Sequence, residues 1–86
     1  MIWLNGGPGS SSQLGNLFEL GPFHIKESTS KPWEIVRNKY SWTNNYNILF
    51  VDQPVGTGLS YADPGFANAY VTDMDEVADD FYNALT

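Results

Sequence analysis

Apolar positions fall in short blocks separated by glycine and proline breaks. Residues 1–4 are continuously apolar and predict the end of a buried strand. Residues 5–12 form a loop, with three glycines and a proline in the five positions from Gly6. Leu14, Leu17 and Phe18 recur at helical spacing and predict a short helix over 13–20. Gly21-Pro22 stops it. Two short strands are predicted at 23–25 and 33–37, with a polar turn at 27–31. After a break at Asn44-Asn45, residues 48–51 make a continuous apolar run that ends at Asp52. Such a run suits an interior strand of a parallel sheet, buried on both faces. A second glycine–proline loop spans 53–58, and Asp63-Pro64-Gly65 makes a turn. Thr72 and Asp73 are both N-cap candidates, with Asp75 and Glu76 three residues on. Beyond them Met74, Val77, Ala78, Phe81 and Leu85 share one helical face. Asp75, Asp79 and Asp80 lie away from its centre.

Strand, loop, crossover, strand, loop, helix is an α/β order, with a short hairpin inside the crossover. Two parallel strands and one long helix do not cover each other. The strand at 48–51 calls for helices on both faces, and only one good helix is predicted. The expectation is therefore that residues 1–86 are a slice of a larger α/β domain.

Composition narrows the function classes. The chain has 86 residues, four bases, ten acids and a net charge of −6. That balance disfavours nucleic-acid binding, which needs a basic face for phosphates. It equally disfavours a polybasic membrane surface, and no apolar run is long enough to span a bilayer. From Asn45 onward there are seven acids and no base, a pattern expected of a solvated helix face. Aromatic residues make up 15%, too many for a disordered composition. The N-terminal residues lack the charged leader of a signal peptide. There is no cysteine, hence no disulfide and no thiolate, and the single histidine argues against a multi-histidine metal site.

The loop at Asn5-Gly6-Gly7-Pro8-Gly9 carries the most chemistry. Its glycines allow close backbone approach and outward N–H groups. After a strand of an α/β sheet, such a loop binds anions or oxyanions; it also reads as a plain tight turn. It lacks the Gly-Lys-Ser/Thr of a nucleotide phosphate loop. Ser10, Ser11 and Ser12 follow, but a nucleophilic serine needs a base and an elbow. Gly58-Leu59-Ser60-Tyr61-Ala62 only approximates an elbow, with Ala in the final position. His24, the sole base candidate, falls inside a short strand, where a surface or hydrogen-bonded histidine is the commoner case. Glu19 stands between Phe18 and Leu20 before the helix stop. It reads either as a partly desolvated carboxyl or as an exposed helix end.

Four strings in order are far more specific than their parts. They are Trp3-Leu4-Asn5-Gly6-Gly7-Pro8-Gly9-Ser10-Ser11-Ser12, Leu17-Phe18-Glu19-Leu20-Gly21-Pro22, Tyr40-Ser41-Trp42, and Phe50-Val51-Asp52-Gln53-Pro54-Val55-Gly56-Thr57-Gly58-Leu59-Ser60-Tyr61. Together they resemble the serine carboxypeptidase family, the carboxypeptidase Y-like α/β-hydrolases, over essentially the whole chain. The resemblance implies an α/β-hydrolase fold and release of C-terminal residues from peptides. It implies that Gly7 donates a backbone N–H to the oxyanion, and that Asn5 and the Gly6 N–H hold the substrate carboxylate. Trp3 and Glu19 would complete that network. Leu14 and Phe18 would line the pocket for the departing side chain, and the string from Asp52 to Tyr61 would be mainly structural. A Glu donates to a carboxylate only when protonated, so the implied site favours acidic pH. No cofactor is implied. The implied partners are a peptide with a free C-terminus and the remainder of the hydrolase domain. The implied compartments are vacuole, lysosome or the outside of the cell.

The departures from the family pattern are equally specific. Its nucleophile lies in Gly-Glu-Ser-Tyr-Ala-Gly, beyond the last helix here, and its Asp and His lie further on. None of the three is in this sequence, so the 86 residues alone are expected to be inactive. The family usually has Cys where Ser10 stands, and Pro where Lys39 stands. Rival expectations are an acyltransferase or hydroxynitrile lyase on the same scaffold, or a non-catalytic truncated product.

Overall fold

The computed structural model describes residues 1–66 and 68–86. Its elements run β1 (Ile2–Trp3), α1 (Gln13–Phe18), β2 (Phe23–Lys26), β3 (Glu34–Arg37), a 3₁₀ turn (Trp42–Asn44), β4 (Leu49–Phe50) and α2 (Met74–Leu85). This is the mixed helix–strand order that the apolar pattern predicts. β1 and β4 pair in parallel, with Ile2 opposite Leu49 and Trp3 opposite Phe50. β2 and β3 form the antiparallel hairpin, with His24 opposite Val36 and Lys26 opposite Glu34.

Both parallel strands are shorter than expected, two residues each rather than four. Each is paired along one side only among the described residues. A lone parallel ladder holds few residues in register, because its bonds are slanted and slightly weaker. The expected double burial is also missing. Ile2 and Leu49 are exposed, at 42% and 53%. Among the described residues the sheet is two strands wide, which leaves these positions uncovered.

α1 ends two residues before the predicted limit. Glu19 leaves helical geometry, at φ −125° and ψ −86°, and its N–H donates to the Gly15 carbonyl. The Leu20 N–H also reaches the Gly15 carbonyl, at 2.9 Å. The last turn thus widens and swings Leu20 inward, where it is buried. Polar groups then fasten the hairpin to this helix end. Asn38 Nδ2 donates to the Glu19 and Gly21 carbonyls, at 3.2 and 3.0 Å. The Ser41 hydroxyl donates to the Leu20 carbonyl at 2.8 Å. Trp42 meets Trp3 edge to face with ring centroids 5.8 Å apart, a favourable aromatic geometry.

Asp73, the second N-cap candidate, caps α2, accepting the Glu76 N–H at 2.9 Å. The Glu76 carboxylate reaches back to the Thr72 N–H at 2.6 Å. The first bond satisfies a first-turn donor that lacks a helical partner, and the second ties the residue before the cap to the helix. Acids in the first turn also complement the positive end of the helix dipole. Only Val77 of the predicted apolar stripe is buried; Met74 and Leu85 are exposed. The stripe is apolar as expected, but the surface beneath it is too narrow to cover it.

Candidate functional site

β1 delivers its chain directly into the glycine loop. The Trp3 indole N–H donates to Asn5 Oδ1 at 2.7 Å. An indole nitrogen is a donor only, so this bond fixes which end of the Asn5 amide faces the tryptophan. The amide NH₂ makes no hydrogen bond to a protein group among the described residues. Gly15 of α1 lies against this pair and is buried. A Cβ at Gly15 would collide with Trp3 Nε1 and lie 2.8 Å from Asn5 Oδ1. Glycine is required there for close approach.

Gly6 and Gly7 follow at the surface. Neither N–H donates to a protein group among the described residues. Gly7 has φ +134°, a conformation that an L side chain rarely adopts. The loop closes on itself where the Ser10 N–H donates to the Gly6 carbonyl at 3.3 Å. The result is an exposed turn bearing two free backbone donors beside the Asn5 amide.

Behind that turn lies a buried polar clamp. Ser12 is the most enclosed side chain, 1% exposed. Its hydroxyl accepts the Asn5 N–H at 3.1 Å and donates to the Val51 carbonyl. Asp52, 8% exposed, accepts from the Ser12 N–H and the Ser11 hydroxyl, each at 2.7 Å. Its other oxygen accepts the Leu59 N–H at 2.9 Å. Burial pushes the Asp52 carboxyl up. The hydrogen bonds from Leu59, Ser11 and Ser12 outweigh it and hold the group below the ordinary aspartate value. The carboxylate therefore joins the end of β4, the start of α1 and the second glycine loop while remaining ionised.

The other candidate residues are distributed around this centre. Leu14 and Phe18 lie one turn apart on α1 and are exposed, at 46% and 53%. They share one face of the helix, as i and i+4 neighbours do. Glu19 sits at the C-cap, exposed, as the helix-end reading has it. Its carbonyl rather than its carboxylate is engaged, by His24 Nε2 at 2.8 Å and by Asn38. The structure thus joins Trp3 to Asn5, and leaves the Glu19 carboxylate unbonded to either among the described residues. His24 is a hydrogen-bonded strand histidine. The Ser60 hydroxyl donates to the Asp52 carbonyl at 2.6 Å, a structural bond rather than an activated nucleophile. Among the described residues no group of His, Asp and Glu side chains is arranged to hold a metal ion.

Sequence reasoning placed Asn5, Gly6 and Gly7 on one loop, directly after the strand that carries Trp3, but missed the roles of Gly15 and Ser12 and the reach of Asp52. Ser12 and Asp52 share a signal: polar residues that border a glycine loop. Such residues hold backbone together where no regular ladder exists.

Comparisons with known proteins agree with this reading of the motifs. The pheromone-processing carboxypeptidase KEX1 of Podospora anserina is 48% identical over 85 residues, covering 99% of this chain and 13% of the relative. The protein of the same name from Chaetomium globosum is 48% identical over 81 residues, covering 94% of this chain and 12% of its own. That of Sclerotinia sclerotiorum is 45% identical over 85 residues, covering 99% and 13%. The chain therefore spans about an eighth of the length of these curated relatives. The family model described as serine carboxypeptidase matches residues 1–86. With a match across its whole length, the chain belongs to the serine carboxypeptidase family.

Proposed function

We propose that this chain is the substrate-carboxylate and oxyanion segment of a serine-type carboxypeptidase built on an α/β-hydrolase fold. The full-length protein releases C-terminal residues from peptides. The relatives bear the name carboxypeptidase, in keeping with this activity. The observation that carries the reading is the Trp3–Asn5 hydrogen bond beside two free glycine N–H groups. It leaves three neutral donors without a protein partner among the described residues at the end of a strand: the Asn5 amide and the Gly6 and Gly7 N–H groups.

In this reading the peptide's terminal carboxylate lies against the Asn5 amide and the Gly6 N–H. The scissile carbonyl oxygen lies at the Gly7 N–H. As a serine from elsewhere in the domain attacks, negative charge grows on that oxygen. A prepared donor stabilises the charge only in the transition state, which raises the rate; its loss costs roughly 3–4 kcal/mol. Trp3 orients Asn5. Glu19 joins the network once substrate and the rest of the domain enclose it. Leu14 and Phe18 supply apolar contact for the departing residue. The remainder of the hydrolase domain provides the nucleophile and covers the exposed strand faces.

The test uses the full-length protein with an acyl-dipeptide and its C-terminal amide at pH 5. A carboxypeptidase is expected to favour the free acid by at least tenfold in kcat/KM, since a bound charge-assisted hydrogen bond contributes about 1.5–3 kcal/mol. Asn5→Ala is expected to remove most of that preference. Equal rates on acid and amide would instead favour an acyltransferase or lyase on the same scaffold.

A further inference from the structure

We propose that Ser12 is a positioning residue for carboxylate recognition, holding Asn5 in place from behind the glycine loop. This rests on the carboxypeptidase reading above and adds a residue that touches neither substrate nor oxyanion. Three observations converge on it. The Ser12 hydroxyl accepts the Asn5 N–H and donates to the Val51 carbonyl. It therefore links the first residue of the loop to the end of β4. The Ser12 N–H is held in turn by the ionised Asp52 carboxylate, so the hydroxyl cannot drift with α1. Finally, Ser12 is the N-cap of α1 yet makes no side-chain capping bond. A serine in that position ordinarily caps the helix; here its hydroxyl is committed to Asn5.

The consequence for Asn5 is directional. The indole of Trp3 fixes the side-chain amide, and Ser12 fixes the backbone N–H of the same residue. Two bonds from opposite sides set the backbone and the amide of Asn5 together. The Gly6 N–H follows directly in the chain. Losing the Ser12 hydroxyl would leave the Asn5 N–H and the Val51 carbonyl without these partners in a half-buried place. The loop would relax toward other acceptors and spoil the fit to a carboxylate.

The experiment compares wild type, Ser12→Ala and Ser12→Cys in the full-length protein. The readout is the ratio of kcat/KM for an acyl-dipeptide acid to that for its amide. This ratio does not depend on the fraction of protein that is folded. Ser12→Ala is expected to lower the ratio by about fivefold to tenfold, mainly through a raised KM for the acid. Cysteine keeps the shape of serine with a larger end atom and is only a weak acceptor, so an intermediate ratio is expected. If the alanine variant fails to fold, the cysteine variant decides. A ratio within twofold of wild type in the folded variants, with kcat alone reduced, overturns the proposal and leaves Ser12 a structural residue. A wild-type protein that does not distinguish acid from amide overturns the carboxylate reading itself, and this inference with it.

Discussion

Asp52 carries more of the local structure than any other side chain in this segment. Its carboxylate gathers donors from residues 11, 12 and 59, and its carbonyl accepts from Ser60. Asp52→Asn would set an amide NH₂ against an N–H or hydroxyl donor and remove the charge that strengthens all three bonds. A loss of about 3 kcal/mol in unfolding free energy of the full-length protein is expected, measured by denaturant titration. The pH dependence has a definite sign. The folded carboxyl is held below its ordinary value, so its stabilisation is complete above the unfolded pKa of about 3.9. It fades as pH falls through the folded value. The stability gap between wild type and Asp52→Asn should therefore be constant above about pH 5 and shrink below about pH 4. A gap that widens on acidification would contradict the hydrogen-bonding account. Asp52 was legible as the end of an apolar run and as part of a family string. Its partners Ser11 and Ser12 were not, because they lie about 40 residues away in the chain, and no local periodicity reports on such a pairing.

Elements were legible where one local signal decided them. The N-cap pair before α2 and the apolar stripe behind it located that helix, and the glycine–proline pairs located the loops. Strand lengths were not legible, since pairing depends on neighbours that the local pattern does not specify. The packing of α1 against β1 was hidden for another reason. A mid-helix glycine reads as a weak point, and Gly15 is instead the contact surface. Two effects compete in Gly15→Ala. Alanine improves helix propensity by about 1 kcal/mol. The added methyl collides with the Trp3 indole, and overpacking of this kind costs about 1–3 kcal/mol. Displacing the indole also loses the Trp3–Asn5 bond, worth about 1 kcal/mol. The clash is expected to win, lowering the thermal midpoint of the full-length protein together with its preference for free acids. A raised midpoint with unchanged preference would mean that the indole yields at no cost.

At the scale of the whole molecule the segment is open. Its radius of gyration is 15.5 Å, against about 12 Å for a compact chain of this length. Its accessible surface is 6574 Å², against about 5,100 Å² for a folded monomer of this mass. The difference, roughly 1,500 Å², is about twice what one partner contributes to a standard protein–protein interface, and many large apolar side chains lie exposed. Leu20 and Val77 are the buried hydrophobic side chains, while Ile2, Leu49, Met74 and Leu85 stand exposed. Ordering a residue's backbone costs about 1–2 kcal/mol, and so few buried side chains offset little of that. Produced alone, the 86-residue polypeptide is therefore expected to unfold without a cooperative transition and to bind hydrophobic dyes at neutral pH. It is also expected to hydrolyse no acyl-dipeptide, because the Ser60 hydroxyl and His24 are each committed to backbone carbonyls. Calorimetry distinguishes the outcomes. A sharp transition with equal calorimetric and van't Hoff enthalpies would show that the clamp at Asp52 and the hairpin contacts suffice without further covering. A broad, weak transition would locate the missing stability in the exposed faces of β1, β4 and α2. Substitution of Leu49 by a polar residue separates the two further. It should leave the isolated segment nearly unchanged while destabilising the full-length protein by about 2–5 kcal/mol, as for other buried apolar losses.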